Sequence, residues 1–300
     1  MHKSFELFKY LKLSGALRLQ NIQTRRMHVK VIKMRWLTGG VNYSYLLSSQ
    51  DKTKSWLIDP AEAVEVLPNL KPEESVTIEA VVNTHHHYDH SGGNQAVVSR
   101  LVESSGHDVK VICGSHTSPG ATDIPKNLQE YTLGDLTIRC IRTPCHTQDS
   151  VCYYVSDPQT GEKCIFTGDT LFTAGCGRFF EGTGEEMDYA LNRRILDGVG
   201  EPNWDGTKVY PGHEYTKSNV KFVRTAVYKN LGDNAALDRL EQFCGKNKVT
   251  TGSFTIQDEL DYNPFMRLDD PSVRDAVDDS QGSLSRAKVM DRLRKIKNSM

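Results

Sequence analysis

Between Thr84 and His90 the chain reads T-H-H-H-Y-D-H, which brings His85, His87, Asp89 and His90 together within six residues, directly after the apolar run Ile78-Glu79-Ala80-Val81-Val82. In an extended segment alternate side chains share a face, so His85, His87 and Asp89 are expected to point into one cavity while His86 and Tyr88 point away. His90 joins them if the chain turns, and Ser91-Gly92-Gly93 supplies that freedom ahead of a helix-like stretch from Asn94 to Glu103. Two imidazoles on one metal, with a carboxylate and a third imidazole slightly displaced, suit two neighbouring cations, which in such sites stand about 3.5–4 Å apart. A solvated low-complexity histidine patch would need neither the strand before this run nor the Gly-Gly turn after it.

Three further candidates each stand at the end of a strand-like segment. Leu136 to Ile141 alternates like a half-buried strand, is stopped by Pro144, and delivers His146 within T-P-C-H-T. Cys164-Ile165-Phe166 runs into Thr167-Gly168-Asp169-Thr170, where Gly168 lets the backbone crowd close. Lys208-Val209-Tyr210 leads into Pro211-Gly212-His213-Glu214-Tyr215. Singly, a His or Asp after a strand is ordinarily a capping or surface residue. Together these complete the seven ligands that a dinuclear site needs. Asp59, after Trp56-Leu57-Ile58, is expected to support the site or a turn rather than to bind.

The order H-x-H-x-D-H followed by His, Asp and His resembles the metallo-β-lactamase superfamily. The segments T-H-H-H-Y-D-H, T-P-C-H-T, F-T-G-D-T-L-F-T-A-G-C-G-R-F-F-E-G-T and G-H-E-Y-T are similar to those of its glyoxalase II branch, the hydroxyacylglutathione hydrolases, in their yeast-type mitochondrial form. The likeness runs from about Met27 to Met300 and includes Tyr262-Asn263-Pro264-Phe265-Met266-Arg267. It implies an α/β fold, the αβ/βα four-layer sandwich, with a C-terminal α-helical domain over the metal cleft. It also implies that His85, His87 and His146 hold one metal, that Asp89, His90 and His213 hold a second, and that Asp169 bridges them.

The activity implied is hydrolysis of S-(2-hydroxyacyl)glutathione thioesters, with S-D-lactoylglutathione giving D-lactate and glutathione in the second step of methylglyoxal detoxification. The nucleophile would be a metal-bridging hydroxide, with Asp89 and Asp169 as the catalytic side chains. Imidazole and carboxylate independently suit two divalent ions, zinc first, with iron or manganese also tolerated. For the glutathione part of the substrate the resemblance points to Arg178, Phe179 and Phe180, to His213, Glu214 and Tyr215, and to Arg294 and Lys297. Guanidinium forks, an ammonium and a phenol suit its carboxylates and amides. Two departures stand out: Arg178 where many relatives have Lys, and Phe180 where many have Tyr, which removes a contacting hydroxyl. The alternatives are a persulfide dioxygenase with a mononuclear iron centre, which lacks the long helical appendage, and a nucleic-acid processing metallohydrolase, which carries an extra domain and basic grooves. A metal-binding module without catalysis is a third.

Length and charge bound the rest. The 300 residues suit a catalytic domain over residues 27–213 and a helical substrate-binding domain over 214–300, after a leader of residues 1–26. Lys and Arg total 37 against 38 for Asp and Glu, a balance that gives no bulk reason to expect nucleic acid as a partner. Nothing approaches the ~20 apolar residues of a membrane span. The seven cysteines include no C-x-x-C pair and read as reduced thiols, Cys145 facing away from His146. A monomer is expected. The first 26 residues carry Lys3, Lys9, Lys12, Arg18, Arg25 and Arg26 against Glu6 alone, the composition of a mitochondrial transit peptide, so the matrix is the expected address. A start at Met27 would give a cytoplasmic form.

Overall fold

The computed structural model describes residues 27–35 and 42–300. The basic segment 1–26, with its reading as a transit peptide, lies outside the described residues. Two five-stranded sheets make the body of the molecule. The first contains β1 (His28–Met34), β2 (Asn42–Ser48), β3 (Ser55–Ile58), β4 (Ile78–Val82) and β5 (Lys110–Ile112), side by side in that order. The second contains β6 (Glu130–Leu133), β7 (Leu136–Arg142), β8 (Val151–Ser156), β9 (Lys163–Gly168) and β12 (Thr207–Pro211), in the order β12-β9-β8-β7-β6. A small hairpin, β10 (Leu171–Phe172) and β11 (Gly175–Cys176), follows β9. Pairing is antiparallel from β1 to β3 and from β6 to β9, and parallel for β3-β4-β5 and β9-β12.

Period-two alternation builds the layers. Tyr45 and Leu47 of β2 face Ile138, Cys140, Tyr153 and Phe166 of the other sheet, while Leu46, between them, faces Val97 and Leu101 of the helix Asn94–Ser105. On the second sheet Ile141, Tyr154, Ile165 and Val209 point outward under Leu191, Ile195, Val220 and Phe222. Both sheets are therefore covered on both faces, which is why β2 and β3 are buried along their whole length.

The C-terminal part is helical. Helices Thr216–Ala226, Ala235–Lys246, Ile256–Tyr262 and Arg286–Asn298 join the outer layer of the second sheet. Asn234, Thr255 and Ser285 cap three of them by accepting a backbone N–H of the first turn. Beyond the end of helix Thr216–Ala226 the Arg224 guanidinium donates to the carbonyls of Tyr228 and Asn230, at 3.0 and 2.8 Å, and holds the turn there. No helix among the described residues is long and apolar enough to cross a membrane.

Candidate metal centre

The loops leaving the ends of β4, β7, β9 and β12 meet over one edge of the sandwich. The loop after β4 departs from the extended form expected for it: the strand ends at Val82, and His87 caps a single helical turn, Tyr88–Ser91. Asp89 and His90 are thus presented by a helical turn and not by strand alternation. The backbone N–H of His90 bonds the carbonyl of His87 at 2.9 Å.

Two clusters result. In the first, His85 Nε2 and His146 Nε2 each lie 3.0 Å from His87 Nδ1. In the second, His90 Nε2 and His213 Nε2 are 3.2 Å apart, and Asp89 Oδ2 lies 3.5 Å from His213 Nε2. Asp169 faces both, with Oδ1 3.3 Å from His213 Nε2 and 3.4 Å from His90 Nε2, and Oδ2 3.6 Å from His146 Nε2. Ligand nitrogens around a tetrahedral ion with bonds of 2.0–2.1 Å stand roughly 3.3 Å apart, so these spacings fit cations. Asp169 Oδ1 strengthens the case: it is buried and has no hydrogen-bond partner among the described residues, a costly state that a cation would relieve.

The surroundings fix this geometry. Asp59 accepts the backbone N–H of Thr84 at 2.8 Å and its hydroxyl at 2.7 Å, and its Oδ2 holds His90 Nδ1 at 3.0 Å. The carbonyl of Arg178 meets His146 Nδ1 at 2.9 Å, leaving Nε2 free to ligate. Asn42 donates to the Asp89 carbonyl at 2.8 Å and to Oδ2 at 3.3 Å. Gly212 is required, since a Cβ there would stand 2.6 Å from both Asp169 Oδ1 and His90 Cε1. Gly168, at φ +49°, lies against Thr84, where a Cβ would meet Oγ1 at 2.3 Å. Burial, reinforced by neighbouring imidazoles, lowers His85, His87 and His146, which keeps them in the neutral form that binds metals. Burial opposes ionisation of Asp169, yet the His213 and His90 imidazoles hold it well below the usual carboxylate range.

Cys145 turns its thiol to the Thr183 carbonyl at 3.3 Å, away from both clusters. All seven cysteines are free and buried. His86 likewise leaves the site, with Nδ1 2.8 Å from Asp149 Oδ1.

A cavity of about 980 Å³ opens over the clusters. His87, Asp89, His146, Asp169 and His213 form its floor, and Arg178, Phe180, Tyr215, Arg294 and Lys297 line the remainder. Tyr215 stacks on His213 at 4.7 Å, and Phe180 stands edge-on to His146 at 5.3 Å. Phe179 and Glu214, expected as substrate contacts, do not line it. Phe179 packs into the apolar core, and Glu214 braces the two halves of the chain, accepting from Tyr43 Oη at 2.7 Å and from the Thr250 N–H at 2.6 Å. Sequence reasoning missed Phe172, Asn219 and Lys221, which also line the cavity. Asn219 donates to the Thr173 carbonyl at 2.9 Å and receives the Lys297 ammonium. A buried Asn in an otherwise amphipathic helix gives only a faint signal, because its partners lie far away in sequence.

Residues 37–229 match the metallo-beta-lactamase superfamily and residues 214–300 match the hydroxyacylglutathione hydrolase C-terminus. The chain is 64% identical over 279 residues to the mitochondrial hydroxyacylglutathione hydrolase of Saccharomyces cerevisiae, covering 93% of this chain and 98% of that one. It is 62% identical over 275 residues to the cytoplasmic isozyme of the same organism, covering 91% and 100%. Among solved structures, the crystal structure of ETHE1 from Myxococcus xanthus shares the fold, with a TM-score of 0.55 and 22% identity over 87% of this chain and 95% of that one. The fold family implies a dinuclear metal site of His and Asp groups, and His and Asp groups that could hold metal are brought together here. On both matched models and on identity across nearly its full length, this chain belongs to the glyoxalase II (hydroxyacylglutathione hydrolase) family of the metallo-β-lactamase superfamily.

Proposed function

We propose that this chain hydrolyses S-(2-hydroxyacyl)glutathione thioesters, chiefly S-D-lactoylglutathione, to the 2-hydroxy acid and glutathione. The observation that carries the reading is Asp169, with one carboxylate oxygen toward each imidazole cluster at the floor of a cavity whose walls hold Arg178, Lys221, Arg294 and Lys297. His85, His87 and His146 would hold one divalent ion, Asp89, His90 and His213 the other, and Asp169 would bridge them, with zinc the favoured metal. Such a pair of ions supplies Lewis-acid polarisation of a carbonyl and an activated water at neutral pH.

The residues of the chain do the rest. Asp89, whose Oδ2 faces His213, orients the attacking water. Phe172 and Phe180 flank the imidazoles and limit access of bulk water. The four cations face the carboxylates of the tripeptide, and Tyr215, its hydroxyl pushed up to about 12 by burial, stays protonated and donates. A thiolate is a good enough leaving group to need no side-chain acid. The seven ligands come from one chain, so a monomer suffices. Residues 27–213 carry the metal floor and, through Phe172, Arg178 and Phe180, part of the wall, and residues 214–300 supply Tyr215, Lys221, Arg294 and Lys297. The matrix is the inferred address of the full chain. A fluorescent fusion should enter mitochondria and one starting at Met27 should not; equal diffuse distributions would overturn this.

One purified sample assayed for thioester hydrolysis, persulfide oxidation and RNA cleavage, with its metal content measured, tests the reading. Thioester hydrolysis with two metals per chain is expected. Persulfide oxidation on a single iron would overturn it, and the family match of residues 214–300 stands against that alternative.

A further inference from the structure

Between β10 and β11 the chain turns through Thr173 and Ala174, and Ala174 has φ +56°, a left-handed conformation usually given to Gly or Asn. Something must hold it. Its N–H donates at 2.9 Å to Oε2 of Glu259, a carboxyl with no exposure to solvent. The same oxygen takes Asn263 Nδ2 at 2.8 Å, and that amide also reaches the carbonyls of Gly175 at 3.0 Å and Phe172 at 3.4 Å. Tyr262 Oη meets Oε1 at 2.7 Å. Burial pushes Glu259 up to about 8 against the pull of these three donors.

What hangs on this hairpin is the wall of the cavity. Phe172 packs on Tyr215 at 5.2 Å and on His213 at 5.9 Å. The Cys176 carbonyl accepts Arg294 Nη1 at 2.9 Å, and the Thr173 carbonyl holds Asn219, the partner of the Lys297 ammonium. We propose that Glu259, acting with Asn263, is a positioning residue that sets the hairpin and through it the placement of Arg294, Lys297 and Tyr215, and so governs affinity for the tripeptide part of the substrate without touching it. The inference rests on the glutathione thioester reading above.

The test uses the full chain and S-methylglutathione, a thioether that cannot be hydrolysed, in calorimetry beside steady-state kinetics. Glu259→Asp keeps the acid but withdraws it by one methylene from the Ala174 N–H. Its Kd and KM should rise about tenfold, the order set by losing one buried hydrogen bond, with kcat and the turnover of a short thioester lacking the tripeptide unchanged. Glu259→Gln should recover wild-type values, since its oxygen still serves Ala174 and Asn263 and the Tyr262 hydroxyl, now a donor to Oε1, turns to accept from the amide. Adding Ala174→Gly to Glu259→Asp should recover part of the loss, because glycine takes positive φ without the anchor although its N–H stays unpaired. A folded Glu259→Asp protein with wild-type Kd and KM, or equal impairment of the Gln variant, overturns the inference. A wild type that neither binds the thioether nor cleaves the thioester overturns instead the functional reading beneath it.

Discussion

On the sheet side of the cavity the side chains are fixed by near neighbours: Asp59 holds Thr84 and His90, the Arg178 carbonyl holds His146, and Gly212 leaves room for Asp169. On the helical side the cavity residues depend on distant ones, Arg294 on the Cys176 carbonyl and Lys297 on Asn219. The floor is therefore preorganised for chemistry, as a metal site requires, whereas the wall cations Arg294 and Lys297 are held through the hairpin and the helix Thr216–Ala226. Changes to the floor should reach kcat and metal content, and changes to the wall should reach KM.

The largest expected effect is on the floor. Asp169→Asn removes the carboxylate that faces both clusters, and should lose metal together with roughly 10²–10³-fold or more of kcat. His86→Ala, bonded to Asp149 outside the clusters, should keep both. Metal analysis alongside rates decides, and an Asp169→Asn protein that keeps its metal and its rate would erase the distinction.

Next come the wall cations. Replacing Arg294 and Lys297 with Ala should raise KM roughly 10- to 150-fold for the glutathione thioester, with kcat nearly unchanged and a short thioester indifferent. Burial pulls the Lys297 ammonium down to about 7, so it is charged below that pH and neutral above it. Affinity for a carboxylate should then fall as pH rises through about 7, and Lys297→Arg should flatten that limb of the kcat/KM profile. A pH-independent KM in the wild type would contradict the assignment.

Asp59→Asn probes whether the floor depends on its support. Loss of such partners typically costs about 10- to 100-fold in metal affinity or activity, so a competitive chelator should strip this variant at lower concentration. The smallest effect belongs to Phe180→Tyr. Restoring a hydroxyl at the rim should lower KM by a few-fold at most, the order of one exposed hydrogen bond. Unchanged KM would mean that position 180 serves only to pack against His87 and His146.

The same contrast explains what the sequence disclosed. The proposed ligands lie in short segments that follow strands, so their order and spacing drew them out of the sequence, and the sandwich with its helical appendage followed from the resemblance. The wall was only half legible. Arg294 and Lys297, three apart on one helix, both reach the cavity, but Glu214 sits beside His213 and turns to Tyr43 and Thr250. A resemblance over the G-H-E-Y segment does not say which way each side chain turns, and Glu214 turns to the chain's own partners. Asn219, Glu259 and the helical turn at Tyr88–Ser91 were missed because each is defined by a tertiary partner and not by local pattern.

The central claim is that Asp169 joins two metal sites into one reaction centre. Metal-free protein titrated with zinc, with S-D-lactoylglutathione hydrolysis read at each addition, tests it most directly. Activity should stay low through the first equivalent, rise through the second and level off at two per chain. Full activity at one equivalent, with no further gain at two, would contradict it.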